Sequence, residues 1–503
     1  MAKKLTYFYL VPLELMLAAA AVFSLCGTTY FELYMQNEVP SYQKDHPLTL
    51  LLFLAAAMFL LFGLWLIAEK HSVIAKGLPW LSCFWAVALS SFFVLTFRCG
   101  VVCDSGAISE YAIQFMKGNY EAFQEGSYLY HFPFQLGMIA FLELLYRLLG
   151  VENFLVFQVI NILAITGIVR CLQKITGLLF EKKGVCNLEM LLSMGMLPLY
   201  LYASLVYGDV IGMFLGVAAS YHGILFLQRE RKKELLYAGL LLMLAQVVKS
   251  NTAIMLVALV IALLLKMLQE KKVWLLGWIL LLVLMSQAGV AAVNGIYAAR
   301  SGQAVPEGVP KTAWIAMGLQ EAVETDNGCG WYNGYNMHVY EENGYDRQKA
   351  QAACIQNIEQ SIRRFAHNPR DTVYFFYRKF VSQWNDPSFE SMLVSEWYSR
   401  YTEGKSALAE SLIYGGGRRI LLYGMNLYHF LFLVSAAAGG WLLLRHWRLD
   451  RAYYGLNIFG GFLFHMLWEA KGRYVLVYFV MLLPIAAAGC EGIMEFIRRR
   501  REK

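Results

Sequence analysis

Asp104 is the first candidate for catalysis, because it opens a polar segment, residues 102–137, between apolar runs long enough to cross a bilayer. A carboxylate at a membrane edge is costly to bury and often functional. There it could accept a proton from an incoming nucleophile, or orient that nucleophile. The alternative is a helix N-cap, since the sequence DSGAISE places Asp104 or Ser105 ahead of a helical stretch. The two roles are compatible.

An aromatic cluster closes the same segment, where Tyr128, Tyr130 and His131 come just before Pro133. Tyrosines are enriched at membrane–water interfaces, which is the simplest explanation for the pair. His131 could instead contact a phosphate or a hydroxyl group. All three are candidate substrate-binding residues.

A second acid lies in the tight turn Tyr207-Gly208-Asp209. Asp209 either caps the helix that follows or faces Asp104 and helps to bind a polyol. It is kept as a candidate substrate-binding residue.

Cations near two further turns are candidates for binding a phosphate. Glu469, Lys471 and Arg473 precede the last apolar run, and Lys249 lies in the VVKSN turn with Asn251. Arginine offers phosphate oxygens a planar fork and lysine a point charge, so a lipid phosphate headgroup is the natural partner. The alternative is an ion pair between Glu469 and Arg473. It explains the presence of one cation but not that of Lys471 and Lys249.

All of these candidates lie at the edges of apolar runs, and the runs define the class of protein. Of the 503 residues, 58% are hydrophobic and 16% charged, and the mean hydropathy is +0.47. A soluble chain carries about a quarter charged residues. Apolar runs of roughly 20 residues recur, so the sequence predicts an all-α polytopic membrane protein. The net charge of +7 lies in short clusters beside the runs, which indicates topology and not nucleic-acid binding.

The basic clusters also select the number of crossings. If every apolar run crossed from a cytoplasmic N-terminus, the clusters would lie outside, against the positive-inside rule. The segment 134–150 starts after Pro133 and carries Glu143 and Arg147. If it is re-entrant or interfacial, about twelve helices cross and both termini are cytoplasmic. The segments then predicted to be extracytoplasmic are 99–150, 207–209, 249–251, 299–415 and 469–473.

Composition divides the chain into three parts. Residues 1–298 form a transmembrane module that includes the polar loop 99–150, and residues 416–503 form the C-terminal transmembrane helices. Between them, 299–415 is richer in Asn, Gly, Glu and Arg and contains many Trp and Tyr, which predicts a small extracytoplasmic domain and not a linker. Within it, DTVYFFYRKFVSQWNDPSF alternates aromatic and cationic residues and predicts a juxtamembrane helix on the bilayer surface.

Motifs of several well-known chemistries are missing from the sequence. No P-loop, GxSxG, HExxH or GxGxxG motif appears in a supporting context, so ATP-driven or nicotinamide chemistry is not indicated. The nine cysteines have no metal-binding spacing. Cys99 with Cys103, or Cys329 with Cys354, could pair outside the cell, although free thiols are favoured. No metal or other cofactor is predicted, and the energy must come from an activated substrate or a gradient.

The layout resembles the GT-C superfamily of integral-membrane glycosyltransferases, especially bacterial aminoarabinose transferases and protein O-mannosyltransferases. That family has a hydrophobic bundle, a first large external loop with an essential Asp, an aromatic–Pro segment that opens the next helical stretch, and a late Arg-Tyr pair before an apolar run with Pro. The matching features here are Asp104, the run from Tyr130 to Pro133 in YHFPFQLG, Arg473-Tyr474 and Pro484. In outline the resemblance covers 79–298 and 420–492.

The resemblance implies transfer of a sugar from a polyprenyl-phosphate carrier to a lipid, glycan or protein acceptor, on the extracytoplasmic face of the cell membrane. Asp104 would deprotonate the acceptor hydroxyl in an inverting, single-displacement attack. Lys471, Arg473 and Lys249 would neutralise the leaving phosphate without a metal. Tyr474 becomes a further substrate-binding candidate through the Arg-Tyr match.

Other functions stay open at this point. A transporter or flippase of lipid-linked sugars would explain the crossings equally well, but it predicts ionisable residues near the midplane, broken helices and repeat symmetry. The charges here gather at one face, and no repeat stands out. A ligase or polymerase of surface polysaccharide, or a non-catalytic scaffold, is compatible with the long external segment.

Overall fold

The structure, a computed structural model, describes residues 2–34, 37–322 and 328–501. Over these residues it contains twenty-three α-helices and two short antiparallel β-hairpins. The expected all-α polytopic fold is therefore confirmed. Residues 323–327 of the predicted external domain lie outside the described residues.

The N-terminal half of the chain is a run of long helices with one hairpin near its start. Its elements are α1 (Ala2–Cys26), β1 (Gly27–Tyr34), β2 (Asn37–Lys44), α2 (Pro47–Lys70), α3 (Ser72–Phe97), α4 (Cys103–Met116), α5 (Tyr128–His131), α6 (Leu136–Leu149), α7 (Phe154–Phe180), α8 (Lys183–Met194), α9 (Leu197–Leu201), α10 (Asp209–Arg229), α11 (Lys232–Val248), α12 (Ala253–Glu270) and α13 (Leu275–Ser301).

Shorter helices follow, and then a second group of long ones. These elements are α14 (Thr312–Gly318), β3 (Glu321–Ala322), β4 (Gly328–Cys329), α15 (Tyr335–Glu342), α16 (Arg347–His367), α17 (Pro369–Trp384), α18 (Ser391–Tyr398), α19 (Ala407–Ile413), α20 (Gly416–Arg445), α21 (Leu449–Leu467), α22 (Gly472–Met481) and α23 (Leu483–Arg501).

Among the described residues, eight helices are long and apolar enough to cross a membrane, or ten if two bent pairs each count as one span. The bent pairs are α8 with the segment 197–204, at 54°, and α22 with α23, at 52°. The other two predicted crossings correspond to α11 and α21, which are 17 and 19 residues long and do not pass the same test.

Helix α6, inside the apolar run 134–150, has only 14 residues. At 1.5 Å per residue it is about 21 Å long, shorter than the roughly 30 Å hydrocarbon core. Its Gly137 packs on the backbone of Val247, near the end of α11, and its Glu143 binds Arg300, near the end of α13, at 2.7 Å. Both contacts lie at the same end of the bundle, so α6 lies across the helix ends and does not run parallel to the spans.

The basic clusters gather at the opposite end of the bundle. Lys182 pairs with Glu491 at 2.9 Å, and Arg448 pairs with Glu181 at 2.6 Å. A cavity of about 600 Å³ opens there, beside Arg448. The sequence predicts this end to be cytoplasmic.

The first β-hairpin, β1–β2, was not predicted. The first apolar run of the sequence ends as a helix at Cys26, and the chain then forms two paired strands. The backbone N–H of Thr29 donates to the carbonyl oxygen of Asn385 at 3.0 Å, and the ring of Phe31 lies 4.6 Å from that of Trp331. The hairpin therefore docks on the segment 302–415.

Helix α17 leads from that segment into the bundle. Its N-terminal half is mostly exposed, but Lys379, Trp384 and the residues between them are buried. The expected surface helix is thus only half at the surface. Trp331 and Trp384 are fully buried, so they pack the interior of the structure.

Candidate functional site

Three turns at one end of the bundle bring an acid and two cations together. Asp209 begins α10, Lys249 follows α11, and Arg473 lies in the first turn of α22. The Nζ atom of Lys249 is 3.0 Å from Oδ1 of Asp209, and Nε of Arg473 is 3.7 Å from the same oxygen. The side chains of Asp209 and Arg473 are each only 8% exposed. Since charges attract more strongly where water is excluded, one carboxylate holds both cations in place.

Two tyrosine rings lie against these cations. The Nζ atom of Lys249 is 4.8 Å from the ring centre of Tyr207 and 5.2 Å from that of Tyr474. The guanidinium carbon of Arg473 is 5.1 Å from the Tyr207 ring centre. Such contacts favour the cationic state. The Nε of Arg473 has no hydrogen-bond partner among the described residues, so the guanidinium keeps donor capacity for a ligand.

Lys471 belongs to the same end but has a different partner. Its Nζ is 2.8 Å and 2.7 Å from the two carboxylate oxygens of Glu38, in strand β2. Burial disfavours the charged lysine, but the carboxylates of Glu38 and Glu390 raise its pKa above the ordinary value. Glu390 also accepts a hydrogen bond from the Gly472 backbone N–H at 2.7 Å. The alternative pair between Glu469 and Arg473 does not form in the described structure.

Asp104 lies in the first turn of α4, with an exposed side chain. The residue at the N-cap position is Val102, and the hydroxyl of Ser105, not the carboxylate of Asp104, accepts its backbone N–H, at 3.1 Å. Asp104 makes no hydrogen bond or ion pair with any described residue. Burial, and next the charge of Asp104, raise the pKa of Tyr207 well above its ordinary value. The free carboxylate is therefore electrostatically coupled to the ring that contacts Lys249 and Arg473.

Further acids surround the turn that carries Lys471. Burial raises the pKa of Glu469 to about 7 and that of Asp386 to about 6. For Glu390, burial and the charge of Glu38 raise the pKa to about 8. Carboxyl groups in such surroundings gain and lose protons near neutral pH, which is the range useful for proton transfer.

The aromatic candidates divide between two places. The Tyr128 hydroxyl lies 3.4 Å from Nε2 of Gln135, which also donates to the Tyr207 hydroxyl, so Tyr128 adjoins the cation cluster. Tyr130 stacks on Tyr340, at 6.1 Å between ring centres, in the segment after α13.

His131 is also drawn into that segment. Its Nδ1 is 2.8 Å from the Ser127 carbonyl oxygen and its Nε2 is 3.0 Å from Oε1 of Glu341. With both ring nitrogens engaged and 1% of its surface exposed, it has no atom left for a phosphate. Asn251 is half-buried beside Lys249, and its side chain makes no hydrogen bond within the described structure.

Glu38, Glu390 and Tyr207 were missed as site residues. Glu38 and Lys471 are 433 positions apart, and no pattern in the sequence links them. Tyr207 was visible in the turn with Asp209, and the aromatic neighbour of a membrane-edge acid is the one signal that could have identified it.

The part of the chain that the structure describes forms neither a cluster of metal ligands nor a disulfide. No group of three or more His, Cys, Asp or Glu in the described ranges has the geometry to hold a metal ion. All nine cysteines lie in those ranges and are free thiols, so neither Cys99 and Cys103 nor Cys329 and Cys354 are paired.

Residues 136–288 match the family model described as dolichyl-phosphate-mannose-protein mannosyltransferase. The match runs from α6 into α13 and includes Asp209 and Lys249. It confirms the resemblance to the GT-C superfamily and supports a membrane glycosyltransferase with a lipid-phosphate-linked sugar donor. No curated protein matches the chain at a significant level.

Proposed function

We propose that the chain transfers a sugar from a polyprenyl phosphate to the hydroxyl group of an acceptor, with Asp104 as the general base. The observation that carries the proposal is the arrangement of charge. An exposed carboxylate without a partner acts electrostatically on Lys249, one of a buried pair of cations, and the Nε of the other, Arg473, has no hydrogen-bond acceptor in the described structure.

The cation cluster suits the leaving group of this reaction. When the bond from the sugar to the phosphate breaks, negative charge builds up on the phosphate oxygens. Arg473 can donate two parallel hydrogen bonds to them, and Lys249 and Lys471 can add positive charge. Asp209 and Glu38 already fix the two lysines, so little reorganisation is needed as the charge develops.

Asp104 suits the other half of the reaction. A single displacement inverts the sugar, with the acceptor oxygen attacking from the face opposite the phosphate. The base must therefore reach the acceptor without contacting the phosphate. Asp104 meets this requirement, since it is exposed and makes no ion pair with Lys249 or Arg473. Burial raises the pKa of Tyr128 and of Tyr207, and the charge of Asp104 adds to the rise. The rings of Tyr207 and Tyr474 contact Lys249.

The acceptor is a lipid, glycan or protein hydroxyl. We place the reaction on the extracytoplasmic side of the cell membrane, because the basic clusters at the opposite end predict that end to be cytoplasmic. The proposed mechanism uses no metal and no other cofactor.

Asp104→Asn tests the base. The purified variant should bind the lipid-linked sugar as the parent does and lose at least about a hundredfold in transfer rate, the contribution typical of a general base. Glu110→Gln, an exposed acid on the same helix, is the matched control and should keep its activity. Normal turnover by Asp104→Asn would remove this residue from the mechanism.

Arg473→Met tests the phosphate site. Loss of a group that stabilises the leaving anion costs about 3–4 kcal/mol of barrier. Arg473→Lys keeps the charge and should recover part of that loss. Donor binding and transfer unaffected by Arg473→Met would contradict the assignment.

Transport of lipid-linked sugars is the second candidate, favoured by the two bent helix pairs, because broken helices are common in transporters. The two functions separate in proteoliposomes. A transporter would move the labelled lipid between leaflets without forming a glycosylated product, and Asp104→Asn would not abolish that movement selectively.

A further inference from the structure

The end of α16 and the start of α17 form a helical hairpin with an exposed apolar surface. Ile362 is 57% exposed, Val373 71%, Tyr374 56% and Tyr377 44%. On α17 the last three lie on one face, since residues four apart in a helix are neighbours. We call residues 362–377 the interfacial hairpin.

Contacts with two predicted spans fix the depth of this hairpin. The ring of Tyr377 lies 5.1 Å from that of Phe23, three residues before the end of α1. One turn further on, Phe380 lies 5.7 Å from Phe462, five residues before the end of α21. The exposed face of α17 therefore starts below the outer ends of these spans, where a bilayer and not bulk water is the neighbour.

Cations surround the tip of the same hairpin. Arg370 is exposed and makes no hydrogen bond or ion pair within the described ranges. The side chain of Arg363 is 76% exposed, and its ion pair with Glu359 is long, at 3.7 Å. The carboxylate of Asp371, at the same tip, accepts a hydrogen bond from the side-chain amide of Asn368. The tip thus presents positive charge directly beside an apolar face.

We propose that the interfacial hairpin binds the headgroups of anionic phospholipids in the leaflet next to the candidate site. The apolar face of Val373, Tyr374 and Tyr377 lies among the acyl chains close to the headgroups, and Arg363 and Arg370 contact the lipid phosphates. This combination of apolar area and adjacent cations is what anchors interfacial helices.

The anchor is linked to the candidate site through the buried half of α17. There the Nζ of Lys379 donates hydrogen bonds to the carbonyl oxygens of Gly318, at 2.5 Å, and Trp468, at 2.7 Å. Trp468 directly precedes the turn that carries Glu469 and Lys471. Lipid binding at the hairpin therefore helps to position that turn. The lipid site itself does not depend on the proposed sugar transfer.

The test uses the full-length protein in nanodiscs of phosphatidylcholine alone, or of phosphatidylcholine with phosphatidylglycerol. Hydrogen–deuterium exchange of peptides covering 362–377 should be slower with phosphatidylglycerol. Each arginine at an anionic surface contributes about fivefold to binding. Arg363→Ala with Arg370→Ala should therefore lower the preference for the anionic lipid by roughly 25-fold and abolish the difference in exchange.

Two control variants keep the result interpretable. Lys349→Ala removes an exposed cation from the opposite end of α16 and should retain the lipid effect. The double variant Arg363→Lys with Arg370→Lys keeps both positive charges and should retain most of the lipid effect. This expectation can be tested even if the alanine variants fold poorly. Equal exchange in the two lipid mixtures, or a lipid effect that survives in folded alanine variants, would overturn the proposal.

Discussion

Replacing Glu38 by Gln should destabilise the protein by about 2–3 kcal/mol, because it leaves Lys471 without its counter-ion. Breaking a fully buried ion pair from one side costs about 3–5 kcal/mol, whereas an exposed pair contributes about 0–1 kcal/mol. The side chains here are 14% exposed for Lys471 and 10% for Glu38, with two contacts at 2.8 Å and 2.7 Å. The pair therefore belongs near the buried limit.

A double-mutant cycle separates this pair from other effects of the substitutions. Glu38→Gln, Lys471→Met and the double variant are unfolded thermally or with denaturant in one detergent. The double variant should be more stable than the sum of the single losses predicts, by about 2 kcal/mol, since neither charge is then left alone. If the losses of unfolding free energy in the two single variants simply add up in the double variant, the reasoning is refuted and the contact contributes nothing to stability.

The same variants separate stability from donor binding. In Glu38→Gln the N–H donors of Lys471 are released from the carboxylate, so the affinity for a lipid phosphate should stay the same or rise. Lys471→Met should lower that affinity. If the affinity for the lipid phosphate falls equally in both variants, the ion pair supports the folded structure and Lys471 does not bind the phosphate directly.

Two other properties of the fold can be tested by measuring stability. The folded-state pKa values of Glu469 and Glu390, about 7 and about 8, are raised above the ordinary value, so their protonated forms stabilise the fold at low pH. That stability should be lost as the pH rises from about 4.5 to about 8, and Glu469→Gln should flatten the measured profile of melting temperature against pH. A Cβ at Gly439 would lie 1.9 Å from the Ile485 carbonyl oxygen, so Gly439→Ala should force α20 and α23 apart and lose about 1–3 kcal/mol in unfolding experiments. Gly424→Ala, on the same helix with no atom within 4 Å of the new Cβ, should be neutral or slightly stabilising.

Sequence reasoning works best where one physical rule acts along a continuous segment. Hydropathy identifies the long helices, because a span needs about 20 consecutive apolar residues. The charges of Glu143 and Arg147 mark the short segment that lies across the helix ends. The turns with Asp209, Lys249 and Arg473 were selected as ionisable groups at membrane edges, and the structure shows them in contact.

The parts that sequence reasoning missed depend on distant segments meeting. The strands β1 and β2 follow an apolar run without a strong turn signal, so Glu38 offered no reason to be paired with Lys471. His131 fitted a phosphate site by residue type and position. Only the fold shows that Glu341 and the Ser127 carbonyl oxygen use both ring nitrogens. The sequence shows which residues carry charge, but it does not show which residues pair with each other in the fold.

The pairing of charges supports the proposal that this end of the bundle binds two substrates of different character. Lys249 is compensated by Asp209 and Lys471 by Glu38, each at 3.0 Å or less. After these pairs are set aside, the groups at this end that keep hydrogen-bonding capacity include the guanidinium of Arg473 on the buried side, whose Nε has no acceptor within the described residues, and the carboxylate of Asp104 on the exposed side. In the proposed reaction, an anionic lipid phosphate would satisfy the first, and a neutral hydroxyl that must lose a proton would satisfy the second. A site for a single charged ligand would not need the unpaired acid, whereas a transfer reaction needs both.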